Sequence, residues 1–267
     1  GAPGGVFNYV TKEPEDIFSA EVSAVVGTED RYGGSAEVTG PLVGNLAGRA
    51  GLFYEQRDTF RFHASSETLI ADGGLAYDFG PAKLTLQATR YDQELDANRL
   101  RGVPADDEGN FIASRRWNHN EPTDFLNLRS DVVQARLEAQ PADSLSFDAT
   151  LRYNDAFEEQ QYHEPRGLFD SDDDGEIDAT IREFRDQVRM QETWSFGTNA
   201  IWSADLGPVS NRVLVGYDRF TGDSFFKGRS LRGTEEVTPG LPGPLSLINP
   251  QYGLSDTSTY DQIPFRI

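Results

Sequence analysis

Ten residues in the second half of the chain, Phe-Asp-Ser-Asp-Asp-Asp-Gly-Glu-Ile-Asp at 169–178, have the composition and spacing of a cation-binding loop. Asp170, Asp172 and Asp174 fall at positions 1, 3 and 5 of a calcium loop, and Gly175 at position 6, where the chain must turn sharply. Glu176 at position 7 would ligate through its carbonyl, and Asp178 stands at position 9. Position 12, which should bring a bidentate carboxylate, is Ile181, so closure would need Glu183, Asp186 or another segment. The expected affinity for Ca2+ is that of extracellular modules, ~10⁻⁴ to 10⁻³ M. Without a cation the same stretch is a solvated acidic loop. From Asp155 to Asp186 twelve Asp or Glu stand against three Arg, and close carboxylates repel unless a cation sits among them.

A second group gathers Arg99, Arg101, Arg115, Arg116, Trp117 and His119, with Arg61, Phe62 and His63 upstream. Guanidinium groups and aromatic rings suit an anionic, aromatic ligand through charge-assisted contacts and stacking. The alternative is pairing with loop carboxylates or lipid phosphate. His63, His119 and His163 are scattered without chelating spacing. No nucleophile elbow, phosphate loop, HExxH or dinucleotide fingerprint occurs, so no catalytic residues and no intrinsic cofactor are expected.

The bulk composition narrows the classes further. A net charge of −20 over 267 residues opposes binding to nucleic acid, whose phosphates would be repelled. The absence of cysteine removes disulfides, thiolate metal sites and a Cys nucleophile. No apolar run approaches the ~18 residues of a membrane helix, whereas a transmembrane strand needs only about 9 to 11 residues of alternating character.

That alternation is what positions the loops. Phe18, Ala20, Val22, Ala24 and Val26 share one face against Ser19, Glu21 and Ser23, and Leu145, Phe147, Ala149, Leu151 and Tyr153 alternate with Ser146, Asp148, Thr150, Arg152 and Asn154. The period predicts strands near 17–27, 32–40, 47–57, 67–78, 82–94, 127–139, 144–156, 188–204 and 210–223. Links after the even-numbered strands are short, and those after the third, fifth and seventh are long (58–66, 95–126, 157–187). Such sidedness belongs to an up-and-down antiparallel sheet whose ends face different compartments. Leu52, Leu84, Leu86, Leu137, Phe147, Leu151, Phe196, Val213 and Val215 would meet lipid, with Tyr54, Tyr77, Tyr153, Trp194, Trp202 and Tyr217 near its interfaces. Arg49, Glu55, Arg57, Gln134, Arg136 and Glu138 would line a wet lumen. The fold class is therefore all-β, an antiparallel up-and-down transmembrane β-barrel. Nine strands cannot close a bacterial barrel without leaving edges in lipid, so a fragment is expected.

The opening stretch carries a resemblance. Gly1-Ala2-Pro3-Gly4-Gly5-Val6-Phe7-Asn8-Tyr9-Val10-Thr11-Lys12-Glu13-Pro14 resembles the end of the plug domain in TonB-dependent outer-membrane receptors of the ferric-siderophore type, with Gly1, Pro3, Gly4, Gly5, Asn8, Thr11, Lys12 and Pro14 as the motif. Val213 to Asp218 is similar to a strand common in that family. The resemblance implies residues 1–14 as the C-terminal end of a plug and 15–267 as the N-terminal part of a 22-strand barrel. It further implies a Gram-negative outer membrane, a ferric siderophore as cargo, the TonB complex as energy-coupling partner, and lipid and lipopolysaccharide as surroundings. Cobalamin, haem or a sugar is the alternative cargo. A calcium-dependent β-rich adhesion module is the alternative from another class.

Overall fold

In the computed structural model, residues 11–253, Tyr260 and Phe265 are described, so Thr11, Lys12 and Pro14 of the opening motif fall inside the description and Gly1, Pro3, Gly4, Gly5 and Asn8 outside it. The strands are β1 (Ser19–Val26), β2 (Tyr32–Val43), β3 (Leu46–Asp58), β4 (Ser65–Asp78), β5 (Ala82–Asp96), β6 (Phe125–Ala142), β7 (Leu145–Phe169), β8 (Ala179–Leu206), β9 (Val209–Arg232) and the two-residue β10 (Leu245–Ser246). Each of β1 to β9 pairs antiparallel with its sequence neighbours, and β10 joins β8 beyond the end of β9. No helix among the described residues is long and apolar enough to cross a membrane. Tight turns sit at one end, where Gly44 (φ 55°) and Gly207 (φ 68°) take the left-handed conformation that a β-carbon would strain.

The register gives the two faces opposite chemistry. Leu84 stands opposite Leu137, Leu151 opposite Phe196, and Trp202 opposite Val213, all on one side. Val22 (81%), Val215 (65%) and Leu52 (51%) remain exposed there. A contiguous apolar face of this extent is what a lipid-facing wall requires. On the other side Arg49 bridges Glu37 and Asp72. The segment leading into β1 lies across that polar side. Lys12 pairs with Glu37 (2.8 Å), Glu13 with Lys83 (2.8 Å) and Arg136 (3.4 Å), and Gln87 donates to the Lys12 carbonyl (2.9 Å).

One expectation is corrected. Within 157–187 only residues 170–178 form a loop, because β7 and β8 run on as a paired hairpin from Phe157↔Met190 to Phe169↔Ala179, and β9 continues to Arg232. Above the apolar band both faces turn polar, as in Glu158-Glu159-Gln160-Gln161, so the alternation that marks a strand disappears while backbone pairing persists. At about 3.3 Å per residue, the 28 residues of β8 reach far beyond the 9 to 11 or so that cross a bilayer.

Candidate ligand-binding surfaces at the external end

The long hairpin creates an edge that must be satisfied. β6 pairs with β7 only as far as Phe125↔Gln161, so among the described residues the backbone of β7 beyond that point has no strand on that side. Segment 97–124 covers it, closed at its base by the Ala97 amide donating to the Asp124 carbonyl (2.6 Å). The Asp124 carboxylate accepts the His163 amide (2.7 Å) and faces His163 Nδ1 (2.9 Å), while His119 Nδ1 lies 2.6 Å from the His163 carbonyl. Burial pushes the His119 pKa down to about 4, so at neutral pH the ring is uncharged and donates from Nδ1. Two side chains thus stand in for the missing strand.

The rest of that segment locks four stretches together. Trp117 packs on Leu245 and Leu247, and its indole donates to the Ser246 carbonyl (3.0 Å). Asn118 donates to the carbonyls of Phe62 and Ala97, and Tyr252 donates to the Asn118 carbonyl (3.0 Å) while its ring meets His63 edge-on. Arg182 and Glu121 form a fully buried ion pair (2.6 Å), with further bonds from Arg182 to the carbonyls of Gly243 and His119. Arg182, Phe184 and Asp186 share the side of β8 that carries Trp194 and Phe196 lower down, so the face that meets lipid below is covered by loop segments above.

The lumen side of the same hairpin is different. Arg99 lies over the Tyr162 ring (4.5 Å), and Arg101 binds Glu164 (2.7 Å). Arg166 reaches Glu164 and Glu183 (both 2.9 Å), and Arg185 bridges the same two carboxylates (3.1 and 2.8 Å). Of the six residues grouped by sequence, Arg99 and Arg101 therefore join this lumen-side cluster, and Arg115 and Arg116 are exposed, Arg116 over Phe62 (5.0 Å). Trp117 and His119 are buried in the packing just described. Tyr162, Glu164, Arg166 and Arg185 were missed. The alternation Tyr162, Glu164 and Glu183, Arg185 is the available signal, concealed by the polar residues on both faces of the upper hairpin.

The acidic motif forms the turn of the hairpin. Asp170, Asp172 and Asp174 each offer a carboxylate oxygen within 4.8 Å of the others. Asp170 accepts the Gly175 amide (2.6 Å), which holds its pKa below the usual carboxylate range. Asp174 beside it pushes Asp172 up, a repulsion that a cation would relieve. Asp178 is bound to the Ser171 amide and hydroxyl (2.9 and 2.8 Å), and Glu176 stands outside the group of three. A second acidic feature lies on the lipid side just above Tyr153 and Trp194, where Asp131, Asp155, Glu192 and Asp223 stand directly opposite one another across four strands. Like charges in that relation destabilise a sheet, and among these four only Asp131 has arginines close by, Arg90 (3.1 Å) and Arg129 (3.8 Å).

Nine-strand sidedness, a lumen-side segment entering β1 and long external hairpins can be compared with known proteins. No family model matches the chain. The ferripyoverdine receptor of Pseudomonas aeruginosa is 32% identical over 144 residues, covering 52% of this chain and 18% of that protein. The metal-pseudopaline receptor of the same species is 32% identical over 143 residues, covering 51% and 20%. The crystal structure of the outer-membrane ferripyoverdine receptor bound to ferripyoverdine superposes on 82% of this chain and 29% of its own, with TM-score 0.71 and 22% identity. The siderophore receptor PiuA of Acinetobacter baumannii superposes on 91% of this chain and 37% of its own, with TM-score 0.76 and 14% identity. The fold is that of the barrel wall of TonB-dependent siderophore receptors. The curated relatives are receptors, and the ferripyoverdine receptor is a protein of the outer membrane. The chain spans about a fifth of the length of the curated relatives it matches.

Proposed function

We propose that the protein imports a ferric siderophore across the outer membrane, residues 1–14 being the end of a plug and 15–267 barrel. The single observation that carries this reading is the placement of residues 11–14 on the lumen face, bonded to Glu37, Lys83, Gln87 and Arg136, as a plug-to-barrel junction requires. The protein does no covalent chemistry in this reading. It binds the chelate outside with Arg99, Arg101, Arg115 and Arg116 near the mouth, and TonB acts on the plug to weaken that binding, so affinity differs between two states. Uptake of radiolabelled iron, offered as a panel of ferric siderophores to cells with and without a proton-motive force, tests it. Energy-dependent uptake of one chelate is the expected result. Uptake of cobalamin, haem or a sugar instead would reassign the cargo, and none at all from correctly inserted protein would sink the import reading.

The hairpin turn is proposed to hold Ca2+ through Asp170, Asp172 and Asp174, with Glu176 and Asp178 adjusting around the ion. With two exposed carboxylates, one half-buried one and no position-12 ligand, the dissociation constant should be ~10⁻⁴ to 10⁻³ M. Calorimetric titration with calcium chloride checks this, and a heat unchanged in Asp170→Asn/Asp172→Asn would remove the site. The carboxylate row at headgroup level supports contact with lipopolysaccharide through bridging divalent cations.

A further inference from the structure

We infer that the lumen-side cluster of Arg101, Arg166 and Arg185 recognises a free carboxylate on the periphery of the transported chelate, which makes the substrate class anionic, carboxylate-bearing chelates. The assignment rests on the import reading. Three guanidinium charges surround two carboxylates, Glu164 and Glu183, so the cluster keeps a positive excess in a chain whose net charge is −20. The excess is larger with its neighbours, since Tyr162 under Arg99 stands opposite Arg185, and Arg232 stands opposite Glu183.

The donors are also only part used. Arg185 bonds through Nε alone and Arg166 through one Nη, so the paired Nη groups of Arg185 and the Nε and other Nη of Arg166 are left over. Glu164 and Glu183 (each 13% exposed) act as the floor that orients the guanidiniums, and Arg101, Arg166 and Arg185 are 29–40% exposed above it. A preset planar fork with spare parallel donors matches the bidentate geometry of a carboxylate. Its position also selects the occupant. Glu164, Glu183 and Arg185 lie on the face that lower down carries Asp148 and Arg136, which is the lumen side, so outer-leaflet lipid has no access.

The test uses the purified full-length protein and two probes, ferric citrate, which keeps free carboxylates, and neutral ferric tris(acetohydroxamate). Ferric citrate should bind more tightly than the neutral chelate. Arg166→Gln/Arg185→Gln should weaken ferric citrate at least tenfold and leave the neutral chelate unchanged. Glu164→Gln should act in the opposite direction, tightening ferric citrate several-fold because it removes a competing negative charge. A merely structural cluster predicts that both variants weaken both probes in parallel, and that result would overturn the assignment, as would ferric citrate binding no better than the neutral chelate. The two readings fail separately. Energy-dependent uptake of a chelate that is indifferent to these variants rejects the cluster and keeps import, whereas charge-selective binding without any uptake rejects import.

Discussion

Replacing Glu121 with alanine should open the external packing while the membrane-spanning sheet stays intact. Arg182 is fully buried, and Glu121 is a carboxylate partner of it at 2.6 Å. Removing one member of a buried ion pair costs about 3–5 kcal/mol. The same substitution also strips the acceptor from the Gly253 amide (2.6 Å). Hydrogen exchange should show the amides of Gly233 and Leu247, bonded to the carbonyls of Arg182 and Asp178, exchanging two or more orders of magnitude faster. Amides in the lower parts of β3 to β6 should not change. Replacing both partners, as in Arg182→Met/Glu121→Met, should recover most of the loss, because two apolar groups of similar volume need no charge compensation. If Glu121→Ala exchanges like the parent, another group compensates Arg182 and the pair is not the clasp.

Acid should act on the same packing. His119 titrates at about 4 in the fold, from an ordinary value near 6.5, because burial penalises its charged form, with Arg101 and Arg182 adding to the fall and Asp124 opposing it. A depressed histidine pKa means that the neutral ring is favoured by folding. Its contribution is therefore complete above pH ~6.5 and is lost as pH falls toward 4, on the order of 3 kcal/mol in all. His119→Asn keeps a donor near the His163 carbonyl and removes the titration, so exchange in that variant should show a flatter pH dependence over this window.

The sheet was legible in the sequence wherever one face was apolar. Leu84, Leu86, Leu137 and Leu151 fall on the lipid side because a period of two against a wet lumen leaves no other register. The upper hairpin was not legible, because Glu158 to Gln161 present polar side chains to both faces and only backbone pairing with Asp186 to Arg189 makes them a strand. The same gap hid the arginine cluster, which exists only once Glu164 and Arg185 are brought onto one face. Asp170, Asp172 and Asp174 needed no such information, since a turn of a few residues fixes their proximity by itself. For Trp117 and His119, residue type suggested a ligand, but segment 97–124 straddles the free edge of β7 and places them on its covered side. Which side of an edge a loop residue takes is a tertiary fact with no local signature.

Arginine placed at Ala149 should cost about 2–4 kcal/mol, whereas arginine at the adjacent Thr150 should be close to neutral. The two positions share one strand and one depth, so they differ only in the face they occupy. Ala149 lies on the side of Tyr153 and Leu145, whose partners Trp194 and Trp202 bracket the apolar band, and thus sits near its middle. Thr150 faces the lumen opposite Arg136. A guanidinium in the hydrocarbon must snorkel or draw in water, and the penalty is largest at mid-depth, whereas in the lumen it remains hydrated. Equilibrium denaturation of the full-length protein refolded into lipid vesicles measures both. Equal tolerance of the two substitutions would mean that the Ala149 face meets water, which would turn the exposed Leu52, Val133 and Val215 into part of an unfilled protein interface and remove the membrane from the argument. A penalty confined to Ala149 fixes the lumen on the Thr150 side, and with it the side on which Glu164, Glu183 and the three arginines meet a substrate.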